Sequence, residues 1–181
     1  VNTGQPSTLA YIRVDRYASM QGEIGLAGID LLLTDLAGLL REHFPADTQL
    51  ARFGDDVFTA LLPGQTPEQC QASLATLLKK VEAHLFDVSG RTAQTTLSIG
   101  VAGLSEKTAK AQEVLDRAHR CADELNDGNA IKVFNPADEL AAAANRGNLL
   151  AMVQQALENN SFRLLFQPII SLRGDAHEHY E

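Results

Sequence analysis

The sequence predicts an α+β sandwich, a central, mostly antiparallel sheet flanked by helices, which the element order places on one face. Three observations carry that reading. Short runs rich in branched and aromatic residues alternate with longer segments of helical apolar spacing, in the order β-α-β-β-α-β with one further α-β, an extended split β-α-β pattern. A Gly-Asp pair stands between two apolar runs, which is a hairpin signal. With 45% hydrophobic and 21% charged residues in 181, the chain can fill a core and lacks the composition of a disordered segment.

The elements follow in order. Residues 8–14 read as a strand after Pro6, and residues 15–28, with Gly22, Gly25 and Gly28, read as a loop. Ile29, Leu32, Leu33, Leu36, Leu39, Leu40 and Phe44 recur at helical spacing until Pro45 stops the run. Residues 49–53 and 57–62 are two strands around Gly54-Asp55-Asp56. Thr66 can cap a helix that begins at Pro67 and turns Leu74, Leu77, Leu78, Val81 and Leu85 to one side. A strand over 95–102, a helix over 109–125, a turn at Asn126-Asp127-Gly128-Asn129 and a strand over 131–134 complete the unit, which Asn135-Pro136 closes. Residues 137–159 predict a long helix with Leu140, Leu149, Leu150, Val153 and Leu157 as its apolar stripe, able to dock on a domain or on another copy of the chain as a homodimer. Residues 162–172 predict a further strand. The expected organisation is a module over 1–136, a connector over 137–160 and the first strand of another domain over 161–181. Opening at Val1 without an initiator methionine and closing on an unfinished strand, the chain reads as part of a longer protein.

A net charge of −8 disfavours nucleic acid and anionic membrane surfaces as partners. No stretch approaches the roughly 20 apolar residues that cross a bilayer, so a cytoplasmic location is expected. Cys70 and Cys121 fall in helical patterns and read as buried thiols. The chain has no Gly-Lys-Ser/Thr phosphate loop, no Gly-x-Ser-x-Gly elbow and no Cys-x-x-Cys pair. His177-Glu178-His179 reads as a solvated polar stretch rather than a metal site.

The informative stretch is Arg52-Phe53-Gly54-Asp55-Asp56-Val57-Phe58. A hairpin tip that follows a strand and a helix can meet the end of that first strand, and two-metal phosphoryl transfer draws carboxylates from both places. With GDDVF at 54–58, LLP at 61–63, LSIGVA at 97–102 and Asp30 just inside the first long helix, residues 8–134 resemble a GGDEF domain, the palm-like, extended ferredoxin-like fold of diguanylate cyclases. FRLLFQPIISLRGD at 162–175 resembles the opening of an EAL domain, whose defining glutamate would be Glu181, with Gln167 on its nucleotide-facing side.

The resemblance also implies a degenerate site. The metal-binding aspartate of the first strand aligns with Arg13, the hairpin glycine after Gly54 with Asp55, the central carboxylate with Asp56 and the next acid with Val57. A guanidinium cannot ligate Mg²⁺, so no metal and no catalytic residue are expected. An Arg13 ion pair with Asp56, and with Asp55, is expected to stand in for the ion. The guanine-recognising pair aligns with Gln21 and Asp30, a vestigial nucleotide site, while the phosphate-gripping basic residues and the Arg-x-x-Asp product site are absent. The implied function is an inactive signalling and scaffold module beside an EAL domain, similar to the FimX group of receptors. Those bind cyclic di-GMP through the EAL domain, work with a PilZ-type partner and act in type IV pilus assembly and twitching motility. The alternative is a non-catalytic GTP-binding domain that regulates a phosphodiesterase.

Overall fold

A computed structural model describes residues 6–104 and 110–138, and beyond these single helical positions between 141 and 157 and two short strands. The chain forms two compact units, Val1–Phe134 and Asn135–Glu181. In the first, β1 (Ser7–Val14), α1 (Tyr17–His43), β2 (Gln49–Arg52), β3 (Val57–Pro63), α2 (Pro67–Ala83), β4 (Phe86–Asp87), β5 (Thr92–Ala93), β6 (Leu97–Leu104), α3 (Ala111–Asp123) and β7 (Ala130–Val133) follow one another. The sheet runs β2-β3-β1-β6-β7. Every neighbouring pair is antiparallel except β6 and β7, which α3 joins as a parallel crossover. In the second unit, β8 (Pro168–Ile169) pairs antiparallel with β9 (His179–Tyr180). Gln167, His177, Glu178 and Glu181 lie outside the described residues, as do Leu140 and Leu149 of the expected apolar stripe.

Helices cover both faces of the sheet rather than one. The reason lies in β1 and β6, which are buried at nearly every position, so that neither face of the centre can be left to water. Ala10, Ile12 and Val14 point to the side of α1 and α2, where Leu32, Leu36, Leu74 and Leu77 are fully buried. Burial of each such leucine contributes about 1.5–3 kcal/mol. Tyr11 points to the opposite side, with Val114, Ala118 and Ala122 of α3. Gly100 of β6 sets the approach of that helix, because a Cβ there would lie 1.8 Å from the Ala118 carbonyl oxygen and 2.6 Å from the Ala122 nitrogen. Only a glycine lets α3 lie this close to the sheet.

Two local expectations change. The segment read as a loop before Ile29 is helical from Tyr17, and α1 breaks only at Gly25, where φ 72° and ψ 174° are open to glycine and strained for other residues. Leu85 is 59% exposed beyond the end of α2 instead of joining its buried face. The α2 start is as expected. Thr66 and Gln69 form a reciprocal capping box with Pro67 in the first turn. Both cysteines are buried and outside any disulfide. Burial pushes the Cys70 thiol up from its ordinary range, which leaves it a poor nucleophile.

Where α1 meets α2, His43 Nε2 lies 3.0 Å from Ser73 Oγ. Burial, more than the opposing Ser73 contact, pulls the imidazole below its ordinary value, with Lys80 adding to the fall. The unfolded chain therefore takes up this proton first. The stability His43 confers is complete above about pH 6.5 and is lost as pH falls from there through the lower folded value. Relative to wild type, His43→Gln should gain in urea midpoint between pH 7.5 and 5; a pH-independent difference would contradict the burial argument.

Candidate functional site

The end of β1, the start of α1, the β2–β3 tip and the turn after α3 surround a cleft of ≈ 420 Å³. Backbone bonds bring the tip there. Val14 N–H donates to the Asp56 carbonyl at 2.8 Å, and Phe53 N–H closes the loop onto the Val57 carbonyl at 2.8 Å. The Arg52 guanidinium curls the tip by donating to the carbonyls of Gly54 (3.1 Å) and Asp55 (3.0 Å). Gly54 is sterically undemanding here, since an added Cβ would meet nothing closer than Val57 at 3.9 Å.

Arg13 turns away from the tip. Its Nη1 donates to Asp123 Oδ1 at 2.6 Å and its Nη2 to the Ala122 carbonyl at 3.1 Å, at the C-terminus of α3. The expected pair with Asp56 or Asp55 therefore gives way to one with Asp123. The geometry explains this: the tip is already docked by main-chain bonding, whereas the last turn of α3 offers a carboxylate and a main-chain carbonyl together, which suit a two-pronged donor, the Ala122 oxygen also accepting from Leu125 N–H. Asp123 also accepts from or pairs with His119, Nε2 to Oδ2 at 3.0 Å. His119 in turn lies over Tyr11, with 5.0 Å between ring centroids, and Phe53 packs edge-on against the same tyrosine at 6.1 Å. Burial raises the Tyr11 phenol first, then the charges of Asp123 and Asp56, with Arg13 opposing.

Asp15 was not singled out from sequence, yet it is the most heavily bonded side chain of the site. Its Oδ1 accepts from Ser98 Oγ at 2.6 Å, and its Oδ2 accepts from Thr96 Oγ1 at 2.6 Å and from Asn129 N–H at 2.9 Å. Its own N–H donates to the Thr96 carbonyl, and its carbonyl accepts from Thr95 Oγ1. Gly128, at φ 69°, permits the contact, since a Cβ there would stand 2.7 Å from Asp15 Oδ2. This carboxylate ties β1, β6 and the α3–β7 turn into one piece. The available signal was the run of hydroxyls Thr95, Thr96 and Ser98 in a strand otherwise apolar.

Gln21 and Asp30 both lie on α1, on either side of the Gly25 break. Asp30 is exposed, and its backbone carbonyl accepts from Thr34. Its charge reaches the tip region: partial burial raises the Tyr17 phenol first, then Asp55, with smaller contributions from Asp56 and Asp30, and Arg52 opposes. Val57 is buried on the α3 side and offers no polar atom to the cleft. Among the described residues, no three His, Cys, Asp or Glu side chains converge as a metal-binding group. No helix among them is long and apolar enough to cross a membrane.

A palm-like sheet with a two-strand tip at the end of its first strand defines a family. Residues 1–129 match the model of the diguanylate cyclase GGDEF domain, and the chain belongs to that family. It is 62% identical to the FimX GGDEF domain from Pseudomonas aeruginosa, whose crystal structure superimposes with a TM-score of 0.68 over 71% of this chain and 80% of that one. Among curated proteins it is 26% identical over 174 residues to the probable diguanylate cyclase DgcE of Escherichia coli, covering 95% of this chain. It is also 25% identical over 167 residues to the cyclic di-GMP phosphodiesterase PdeB of Shewanella oneidensis, covering 91% of this chain. The chain spans only 16% and 20% of the lengths of those two relatives.

Proposed function

We propose that this chain is a GGDEF module of a cyclic di-GMP signalling protein that has given up dinucleotide synthesis and acts as a scaffold. The observation that carries the reading is Arg13: at the position aligned with the metal-binding aspartate stands a guanidinium held by Asp123 and the Ala122 carbonyl. Mg²⁺ demands six oxygens in near-octahedral array. The donor set does not fit it, because the neighbouring carboxylate, Asp15, already accepts three hydrogen bonds, and Val57 has no side-chain oxygen while its carbonyl is bonded to Phe53 N–H. Asp55 adds negative charge where a triphosphate would lie. Removing one electrostatic element of such a site typically costs about 10²–10³ in rate, and here several are replaced together.

The FimX likeness supports a place in type IV pilus control and twitching motility, in the cytoplasm, with residues 137–160 leading into an EAL domain that begins at 161–181. Gln167 and Glu181 would belong to that domain, which would bind cyclic di-GMP and meet a PilZ-type protein. A second reading, GTP held without turnover, draws on Gln21, Asp30 and the ≈ 420 Å³ cleft. Incubating the chain with GTP and Mg²⁺ should yield no dinucleotide, and calorimetry at millimolar GTP should record no binding heat. Dinucleotide product would overturn the scaffold reading; micromolar binding without product would favour the second.

A further inference from the structure

Among the described residues β2 is an edge strand, and its register sets its hydrogen-bonding phase. Phe53 N–H bonds the Val57 carbonyl, and the register pairs Ala51 with Thr59 and Gln49 with Leu61. Because bonded and non-bonded pairs alternate in an antiparallel ladder, Gln49 and Ala51 bond to β3, while Leu50 and Arg52 aim both backbone groups at the open edge. Beside that edge, between β2 and α1, lies a groove of ≈ 270 Å³. Leu33, Ala37, Leu50 and Phe58 give it apolar walls, Arg41 and Arg52 stand at its rim, and among the described residues no acidic side chain lines it. Two guanidinium groups without an acid are conspicuous on a chain of net charge −8. Two of the Arg52 N–H groups bond neutral carbonyls, and among the described residues neither Arg52 nor Arg41 enters an ion pair.

We infer that this edge is a docking site for an extended, acidic segment of a partner protein, which adds as a strand to β2. Its backbone would bond Leu50 and Arg52, an apolar side chain would enter the groove, and flanking carboxylates would meet Arg41 and Arg52. The site lies apart from the cleft at the end of β1 and does not depend on nucleotide chemistry.

The test uses the 181-residue chain and two blocked peptides, Glu-Thr-Val-Thr-Glu and Lys-Thr-Val-Thr-Lys, which place one apolar and two charged side chains on the same strand face. In amide NMR titrations the acidic peptide should shift and protect Leu50 and Arg52 saturably while leaving Gln49 and Ala51 as they are. The basic peptide should bind about tenfold more weakly, and Arg41→Glu, an exposed helix position, should abolish that preference, because one rim charge is inverted and Arg52 stays, while leaving the amides of α2 unchanged. No shift at Leu50 and Arg52 with millimolar peptide, or equal binding of the two peptides by the unaltered chain, would overturn the proposal. So would protection of those amides that grows with protein concentration alone, because the edge would then belong to a second copy of the chain.

Discussion

Replacing Asp15 by alanine is expected to lower stability by roughly 3–5 kcal/mol. The carboxylate accepts from Ser98, Thr96 and the Asn129 amide, and all three donors lose their partner at once. Ser98 is fully buried, so water cannot replace what it loses without opening the sheet. Asp15→Asn should cost far less, about 1–2 kcal/mol, because one oxygen survives and the Ser98 hydroxyl can rotate to accept from the new amide. Urea unfolding of both variants measures this. An alanine variant within 1 kcal/mol of wild type would mean that the three donors find other partners, and the central role given to Asp15 would be wrong.

Gly100→Ala should be nearly as damaging, at about 3 kcal/mol, although it adds a single methyl group. The new Cβ would fall 1.8 Å from the Ala118 oxygen and 2.6 Å from the Ala122 nitrogen, both of them backbone atoms that cannot swing aside. α3 must lift from β6, and its small-residue stripe then loses packing along its whole length. The effect should spread to the cleft, since the end of α3 carries Asp123 and leads into the Gly128–Asn129 turn. Amide exchange should quicken at Asn129 and along β6. Gly38→Ala is the internal control: nothing lies within 4 Å of the added carbon, and the helix should gain about 0.5–1 kcal/mol. A Gly100 variant that melts with wild type would show that α3 is free to slide.

Legibility in the sequence followed locality. The cap at Thr66, the stop at Pro45 and the Asn126–Asn129 turn each depend on residues within a few positions of one another, and all could be read directly. The first three turns or so of α1 were hidden although Tyr17, Met20 and Ile24 have helical spacing, because Gly22, Gly25 and Gly28 read as loop; only Gly25 departs from the helix. The site divided in the same way. The tip at Gly54–Asp56 was legible as residue types at fixed spacing, and the place of Arg13 opposite it came only through the family resemblance, whereas the partner of Arg13 was not legible, because Asp123 stands 110 residues away.

Sequence by itself determined the order of the three helices and the five main-sheet strands, though not the short β4–β5 pair, together with the family and the chemical character of each position around the tip, since these are carried by periodicity and by short motifs. Tertiary structure alone decided that α3 covers the second face of the sheet, that Asp15 gathers three distant donors, and that Leu50 and Arg52 present their backbone to an open edge. Those are matters of which side of a strand a helix settles on and which ladder phase a hairpin adopts. Both are set by contacts between residues far apart in the chain, which no local pattern encodes.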